Sequence, residues 1–128
     1  MSPGYVLDAS ALLAALHDEP GGDEILASTG GWAMSSVNWS EVLQKSAARN
    51  VDTKGLREDL EALGLEIAPF TAQDAETAAQ LWPKTRSGGL SLADRACLAL
   101  GKRLQVPVLT ADKAWAKFKI GVQIQVIR

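Results

Sequence analysis

The sequence predicts an α/β fold, a three-layer sandwich in which a mostly parallel sheet of four to five strands carries helices on both faces. Short apolar runs with the composition of strands alternate along the chain with longer segments whose apolar residues recur at helical spacing. Because a helix between two strands of one sheet forms a right-handed crossover, this alternation favours parallel pairing. The 128 residues suffice for one hydrophobic core, so we expect a single domain over residues 1–128.

The first half of the chain alternates three predicted strands with three predicted helices. The strands are the apolar runs 5–7, 32–34 and 65–70. The helices are the segments 11–16, 37–49 and 53–63. Ser35 and Ser36 can cap the second helix, and Gly64 can end the third. Residues 18–22 include a proline and two glycines, so we predict a loop there.

The second half predicts two further helices and two further strands. The first helix opens at Thr71 with a relative of the capping box and ends near Leu81, because Pro83 follows. The second helix, 91–104, has an apolar stripe made of Leu92, Ala96, Ala99, Leu100 and Leu104. Residues 106–109 are predicted to form a strand, and the alternating pattern of 122–127 predicts a strand at the edge of the sheet.

Composition limits the classes of function. Hydrophobic residues make up 47% and charged residues 22%, as in a globular rather than a disordered protein. The single cysteine, Cys97, excludes an internal disulfide and a cysteine-based zinc site, which suits a reducing compartment. No apolar run approaches the roughly eighteen residues of a membrane span. The N-terminus lacks the basic flank of a signal peptide, so we expect a cytoplasmic protein.

Charge is distributed unevenly along the chain. Residues 1–44 contain six acids and no Lys or Arg, a net charge of −6, whereas residues 45–128 contain nine acids and thirteen bases, a net charge of +4. An acidic cluster that binds divalent cations beside a basic flank that meets phosphates would produce this asymmetry, and so would two ordinary solvated faces. Charge alone leaves both interpretations open.

Four acids stand where an α/β fold would bring them together. Asp8 and Asp112 directly follow predicted strands, and Glu41 and Asp94 lie near the starts of predicted helices. Ligands of such sheets bind beyond the carboxyl ends of the strands, so these carboxylates are expected to converge there. Crowded carboxylates repel one another unless cations are bound or their pKa values rise. Ligands that are all oxygen favour Mg²⁺ or Mn²⁺ over Zn²⁺.

Each of these acids also has a purely structural interpretation. Asp8 could cap the helix that follows it, and Asp112 could open a turn. Asp94 could complete a capping box begun by Ser91, and Glu41 could be a solvated helix residue. Four independent caps would not be expected to gather at one edge of a sheet. The joint placement is therefore the basis of the functional hypothesis.

Four segments around these acids resemble family motifs. They are VLDAS at 6–10, SVNWSEV at 36–42, GLSLADRACLAL at 89–100 and VLTAD at 108–112. In this order and spacing they resemble the PIN-domain ribonucleases, and within them the VapC-type toxins of bacterial toxin-antitoxin pairs. The resemblance covers nearly the whole chain and implies a PIN-like fold. It also implies the following catalytic and metal-binding residues: Asp8, Glu41, Asp94 and Asp112.

The resemblance further implies hydrolysis of RNA phosphodiester bonds with one or two Mg²⁺ or Mn²⁺ ions, leaving a 3′-hydroxyl and a 5′-phosphate. Ser10 and Thr110 would orient the carboxylates. Transfer or ribosomal RNA is the implied target. The implied partners are a second copy of the chain and a small VapB-like antitoxin that blocks the acidic cleft, with DNA bound only through the antitoxin. Some relatives carry a further acid where this chain has residues 114–116, AWA, so a second metal would be weakly held.

Several bases and aromatic residues are candidates for contact with RNA. Arg86 and Arg95 rank highest, because one precedes the third motif and the other follows Asp94, although either could form a structural ion pair. Further candidates are Lys45, Arg49, Lys84, Lys113 and Lys117. Trp39 and Trp115 could stack on an unpaired base, but packing in the core is the commoner role of tryptophan.

Other interpretations of the sequence are possible. His17 is interpreted as a helix-end residue and Cys97 as a buried small hydrophobe rather than a nucleophile. The chain could be an inactive PIN-like module that only holds a partner, although all four acids are present. A receiver-like or phosphatase domain also places an aspartate after its first strand. Here, however, residues 69–71 are Pro-Phe-Thr where a receiver needs its phosphoacceptor, and Ser10 stands where dehalogenase-like phosphatases need a second aspartate.

Overall fold

The computed structural model describes residues 3–28 and 30–128, so Met1, Ser2 and Thr29, which the single-domain prediction includes, lie outside the described residues. Within this part of the chain the strands are β1 (Tyr5–Leu7), β2 (Trp32–Ser35), β3 (Leu65–Ala68), β4 (Val108–Thr110) and β5 (Ile124–Val126). The helices are α1 (Ala9–Leu16), α2 (Gly22–Ala27), α3 (Ser36–Ala48), α4 (Leu56–Ala62), α5 (Ala72–Thr85) and α6 (Leu92–Leu104). Two short 3₁₀ helices span Arg86–Gly88 and Lys113–Lys117.

The strands form one sheet in the order β3-β2-β1-β4-β5, and every neighbouring pair is parallel. The predicted α/β class is confirmed, with an entirely parallel sheet, and β5 lies at the predicted edge. The chain first extends the sheet from β1 towards β3 and then returns to add β4 on the other side of β1. The gap beyond β1 and β4 is therefore the topological switch point, where α/β sheets bind ligands. A receiver domain has a different order, with β1 between its second and third strands.

Two hydrophobic clusters cover the two faces of the sheet. Successive strand residues point to opposite faces, so Leu7 joins one cluster and Val6 the other. The first cluster packs strand residues against α1 to α4, through Leu7, Met34, Leu65, Leu109, Leu12, Ile25, Val42 and Leu60. The second packs strand residues against α5 and α6, through Val6, Ala33, Ala68, Val108, Leu81, Leu98 and Leu100. The predicted three-layer arrangement is thus confirmed.

Helix α2 was not predicted from the sequence, because its start lies in a glycine pair that resembles a loop. Gly21 precedes it with a φ of 88°, a left-handed conformation that favours glycine. A Cβ at Gly22 would lie 2.3 Å from the carbonyl oxygen of Ala14. The second glycine therefore permits α2 to pack closely against α1. Tertiary contact, rather than local propensity, explains this helix.

Two expectations about helices α5 and α6 were wrong. Helix α5 continues through Pro83 to Thr85, although proline removes one backbone donor. Its last turn is held by the buried side chains of Leu81 and Thr85, and the Thr85 hydroxyl donates to the Leu81 carbonyl at 2.8 Å. Leu92, expected in the buried stripe of α6, is 55% exposed because it lies in the first turn, beyond the core. None of the helices in residues 3–28 and 30–128 is long and apolar enough to cross a membrane.

Helices α5 and α6 are joined by a charged contact at the start of α5. Asp74 is 2% exposed and completes the capping box of α5 with Thr71. Arg103 of α6 donates to both Asp74 carboxylate oxygens, with Nε at 2.9 Å and Nη2 at 3.1 Å. The aspartate therefore stabilises its own helix and attaches it to the next one.

Replacing Asp74 with alanine is expected to lower the free energy of unfolding by about 2–3 kcal/mol, because the cap is lost and Arg103 loses its partner. Urea denaturation measures this change. Arg57→Ala is the matched control, because Arg57 pairs with Glu61 at 3.4 Å on the exposed surface of α4. That pair is expected to contribute less than about 0.5 kcal/mol. Equal losses in the two variants would contradict the assignment.

Candidate active site

A cavity of about 140 Å³ lies at the switch point, beyond the carboxyl ends of β1 and β4. Its lining includes all four acids that the sequence singled out. The lining residues are Asp8, Ala9, Ser10, Glu41, Lys45, Asp94, Asp112 and Trp115. Acids separated by as many as 104 positions in the sequence thus share one small space. Their convergence, expected from the strand pattern, is what the structure shows.

The structural interpretation of three of these acids is also correct. Asp8 caps α1, and its Oδ1 accepts a hydrogen bond from the Ala11 amide at 2.8 Å. Asp94 completes the capping box of α6, with Oδ2 accepting from the Ser91 amide at 2.9 Å. Asp112 likewise caps the 3₁₀ helix Lys113–Lys117. Capping and convergence occur together, because helices that begin at this edge turn their first residues towards the cavity.

Asp8 is the most tightly held of the four acids. Thr110, at the end of β4, donates its hydroxyl to Asp8 Oδ2 at 2.6 Å, and Ser10 donates to Asp8 Oδ1 at 2.7 Å. The Ser10 oxygen accepts from the Ala111 amide at 2.9 Å, and the Thr110 oxygen accepts from the Asp112 amide at 3.1 Å. These bonds connect the ends of β1 and β4. The carboxylate of Asp8 is therefore fixed in orientation.

Burial raises the pKa of Asp8 from 3.8 to about 6, even though hydrogen bonds from Thr110, Ala11 and Ser10 act in the opposite direction. The negative charge of Asp94 raises it further. A carboxylate only 5% exposed loses most of its hydration, which disfavours its charged form. A positive charge placed near Asp8 would therefore stabilise its ionised form.

Replacement of Asp8 by asparagine is expected to stabilise the chelator-treated protein by about 1–2 kcal/mol at pH 8. The folded-state pKa lies above the unfolded value of 3.8, so ionisation of Asp8 opposes folding fully above about pH 6 and not at all below about pH 4. The gain should therefore disappear at pH 4.

Urea denaturation in EDTA at both pH values measures this difference. Asp112→Asn is the control, because Asp112 lines the same cavity but is exposed. A gain in the Asp8 variant that persists at pH 4 would show that burial of the charge is not its cause.

Glu41, on the second turn of α3, is held by a residue that the sequence reasoning missed. Asn38 donates from Nδ2 to Glu41 Oε1 at 3.1 Å and to the Ala93 carbonyl at 3.0 Å. Lys45, four residues after Glu41, contributes a cation to the cavity lining. Asn38 could have been found from its place three residues before Glu41, since residues three and four apart share a helix face. Lys45 was predicted to be a weaker RNA-binding candidate than Arg86 and Arg95, yet of these three residues it is the one that lines the cavity.

The two arginines ranked highest for RNA binding do not line the cavity. Arg95 follows Asp94, but consecutive helical residues point about 100° apart. Its Nη1 instead donates to the Ala78 carbonyl of α5 at 2.9 Å. Arg86 is exposed, with its guanidinium 5.2 Å from the centroid of the Trp82 ring. Contact of either arginine with RNA stays a prediction.

The remaining aromatic and nucleophilic candidates have structural positions. Trp115 is 1% exposed in the second hydrophobic cluster, and Trp39 packs partly buried against the first. His17 is the C-cap of α1, as predicted. Cys97 is fully buried, and its pKa is raised by burial and then by the nearby negative charges. As predicted, it is a small hydrophobe rather than a nucleophile.

The donors of the cavity fit a hydrated divalent cation. They are carboxylate oxygens, the ligands of Mg²⁺ and Mn²⁺, and the volume of about 140 Å³ is several times the roughly 30 Å³ that one water molecule occupies. In the described part of the chain, no three His, Cys, Asp or Glu side chains lie close enough to hold one ion together. Hydrogen bonds within the protein already use oxygens of all four acids. Mg²⁺ commonly keeps several waters and few direct carboxylate ligands, which suits this arrangement.

Comparison with known proteins identifies the family. The family model described as PIN domain matches residues 5–121. The chain belongs to the PIN domain family. The resemblance to PIN-domain proteins found in the sequence is confirmed, and the receiver and phosphatase alternatives are rejected. A sequence search of curated proteins gave no match.

Solved structures share the fold of this PIN domain over nearly its full length. A toxin-antitoxin complex from Klebsiella pneumoniae has a TM-score of 0.75 at 19% identity, covering 97% of this chain and 98% of that one. DNA-bound VapBC from Salmonella typhimurium gives 0.74 at 15% identity, with both chains covered completely. Mycobacterium tuberculosis VapC20, a Sarcin-Ricin loop cleaving toxin, gives 0.68 at 16% identity, covering 93% and 98%. At these identities the similarity shows the fold.

Proposed function

We propose that this PIN domain is a Mg²⁺- or Mn²⁺-dependent endoribonuclease, and that residues 1–128 form one catalytic domain. The observation that supports the proposal is the convergence of Asp8, Glu41, Asp94 and Asp112 on one cavity at the switch point of the sheet. Capping alone does not require carboxylates at these positions, because Ser, Thr or Asn can cap a helix as Asp does, and Glu41 is not a cap. A cation-binding site for phosphodiester chemistry does require them.

Asp8, Asp94 and Asp112 would hold the divalent cation directly or through its water ligands, with Glu41 completing the shell. Ser10 and Thr110 would keep Asp8 oriented towards it. A bound cation would offset the negative charge of the acids and of the RNA phosphate and would activate water for hydrolysis. Without a cation, the carboxylates would repel the phosphodiester. Lys45 also lines the cavity, where its ammonium group would contact a phosphate oxygen.

RNA is the proposed substrate, with structured transfer or ribosomal RNA as the target class. The support for this class is the likeness to VapC toxins, one of which is described as cleaving the Sarcin-Ricin loop. Arg86 is exposed beside Trp82, which leaves both free of the core. We therefore keep Arg86 as a candidate RNA contact. Arg95 becomes a weaker candidate, because its guanidinium bonds to α5.

The chain is also proposed to be the toxin of a toxin-antitoxin pair in the cytoplasm. Its structural neighbours include toxin-antitoxin complexes, two of them bound to DNA. A small VapB-like antitoxin with a cationic or bulky side chain would fit the acidic cavity and block it. Such a complex, built on a homodimer of this chain, would bind DNA through the antitoxin. We expect the antitoxin to copurify with this chain. Added back to the purified chain, it should inhibit RNA cleavage.

Cleavage of total RNA by purified protein tests the ribonuclease activity. Asp94→Asn is expected to lower the cleavage rate by a factor on the order of 100, because a carboxylate charge is lost from the cation site. Asparagine can still accept the Ser91 amide through its side-chain oxygen, so the α6 cap remains. Reactions with Mg²⁺, with Mn²⁺ and with EDTA measure metal dependence, and sequencing of new 5′ ends identifies the target.

Asp74→Asn is the matched control, because Asp74 occupies the same capping-box position in α5 but lies outside the cavity. It is expected to reduce stability and to retain cleavage. Equal loss of activity in both variants would point to the fold rather than the site. Wild-type protein that is folded, free of antitoxin and binds metal, yet cuts no RNA, would favour the inactive binding module.

A further inference from the structure

Asn38, in the first turn of α3, connects the helix that carries Glu41 to the helix that carries Asp94. Its side chain is 1% exposed, and its Nδ2 donates both of its hydrogens, to Glu41 Oε1 at 3.1 Å and to the Ala93 carbonyl at 3.0 Å. Glu41 belongs to α3, and Ala93 directly precedes Asp94 in the first turn of α6. One amide group thus connects two of the carboxylate-bearing walls of the cavity.

The chemistry of the two acceptors fixes which way this amide points. A flipped amide would set the Asn38 oxygen against the Glu41 carboxylate and the Ala93 carbonyl, and would lose both hydrogen bonds. In the observed orientation, Asn38 Oδ1 is buried and has no hydrogen-bond partner within residues 3–28 and 30–128. A buried acceptor without a partner is unfavourable. The two hydrogen bonds that Nδ2 donates offset part of this cost.

We propose that Asn38 is a positioning residue that orients the Glu41 carboxylate relative to Asp94 and thereby sets the affinity of the cavity for a divalent cation. The assignment rests on the metal dependence proposed above. Asn38 itself does not line the cavity, so it acts through Glu41 rather than as a ligand. Side chains that orient metal-binding carboxylates in this way typically change metal affinity by roughly 10–100-fold when they are removed.

Calorimetric titration of the chelator-stripped protein with MnCl₂ tests this role without measuring activity. Asn38→Leu is expected to weaken Mn²⁺ binding by roughly 10–100-fold. Thr85→Val is the matched control, because Thr85 is also a fully buried polar residue and its hydroxyl bonds to the Leu81 carbonyl, away from the cavity. This control is expected to change stability and to leave Mn²⁺ affinity unchanged.

A double-mutant cycle with Glu41→Gln separates positioning from a general structural effect. If Asn38 acts through the Glu41 carboxylate, Asn38→Leu should change Mn²⁺ affinity by less than about two-fold when Glu41→Gln is already present. The same large loss with and without Glu41→Gln would overturn the positioning role, and so would unchanged affinity in the single variant. Should Asn38→Leu fail to fold, Asn38→Ser enters the same cycle, because serine is too short to reach both acceptors.

The outcomes distinguish this role from the ribonuclease proposal. Wild-type protein that binds Mn²⁺ and cleaves RNA, with Asn38→Leu binding Mn²⁺ equally well, would overturn the positioning role alone. The expected Mn²⁺ results with no RNA cleavage by wild type would support the positioning role and overturn the ribonuclease proposal. Failure of the wild type to bind Mn²⁺ would overturn both the positioning role and metal dependence.

Discussion

The carboxylate of Asp8 is buried where the neighbouring strands β1 and β4 end, and three groups donate hydrogen bonds to it. Thr110 reaches it from β4 and Ser10 from the helix that follows β1, so the strand ends are joined through one acid. Loss of hydration makes the charged form of this acid unfavourable, as its raised pKa shows. The hydrogen bonds limit that cost without removing it. The cavity therefore contains a buried carboxylate whose charged form a cation would stabilise, as the proposed metal dependence requires.

The same residues serve the fold and the site. Asp94 and Asp112 accept backbone amides at the starts of their helical segments, which satisfies donors that would otherwise lack partners. Helix starts also favour negative charge, because of the helix dipole. An α/β sheet gathers several helix starts at one edge. Acids that cap them are consequently brought together, and a cation site can be assembled from residues that already stabilise the fold.

The candidate site contains more than its four acids. Glu41 is oriented by Asn38, and Lys45 adds a cation to the lining. Trp115 belongs to the second hydrophobic cluster and also lines the cavity. These residues surround the acids with apolar contacts and donors. The properties of the site therefore depend on the packing of α3 and α6 as well as on the acids themselves.

The sequence by itself determined the fold class, the five strands and the four acids, because strand and helix periodicities and the residues after strands are local signals. It also predicted that the hydroxyls of Ser10 and Thr110 lie beside these acids, and both donate to Asp8. Only the tertiary structure decided that α2 is a helix, that α5 continues past Pro83, that Arg95 bonds to α5 and that Asn38 bonds to Ala93 of α6. These features depend on contacts between elements, such as the close approach of Gly22 to Ala14. Local patterns do not encode which partner a side chain meets across the core, since that follows from packing.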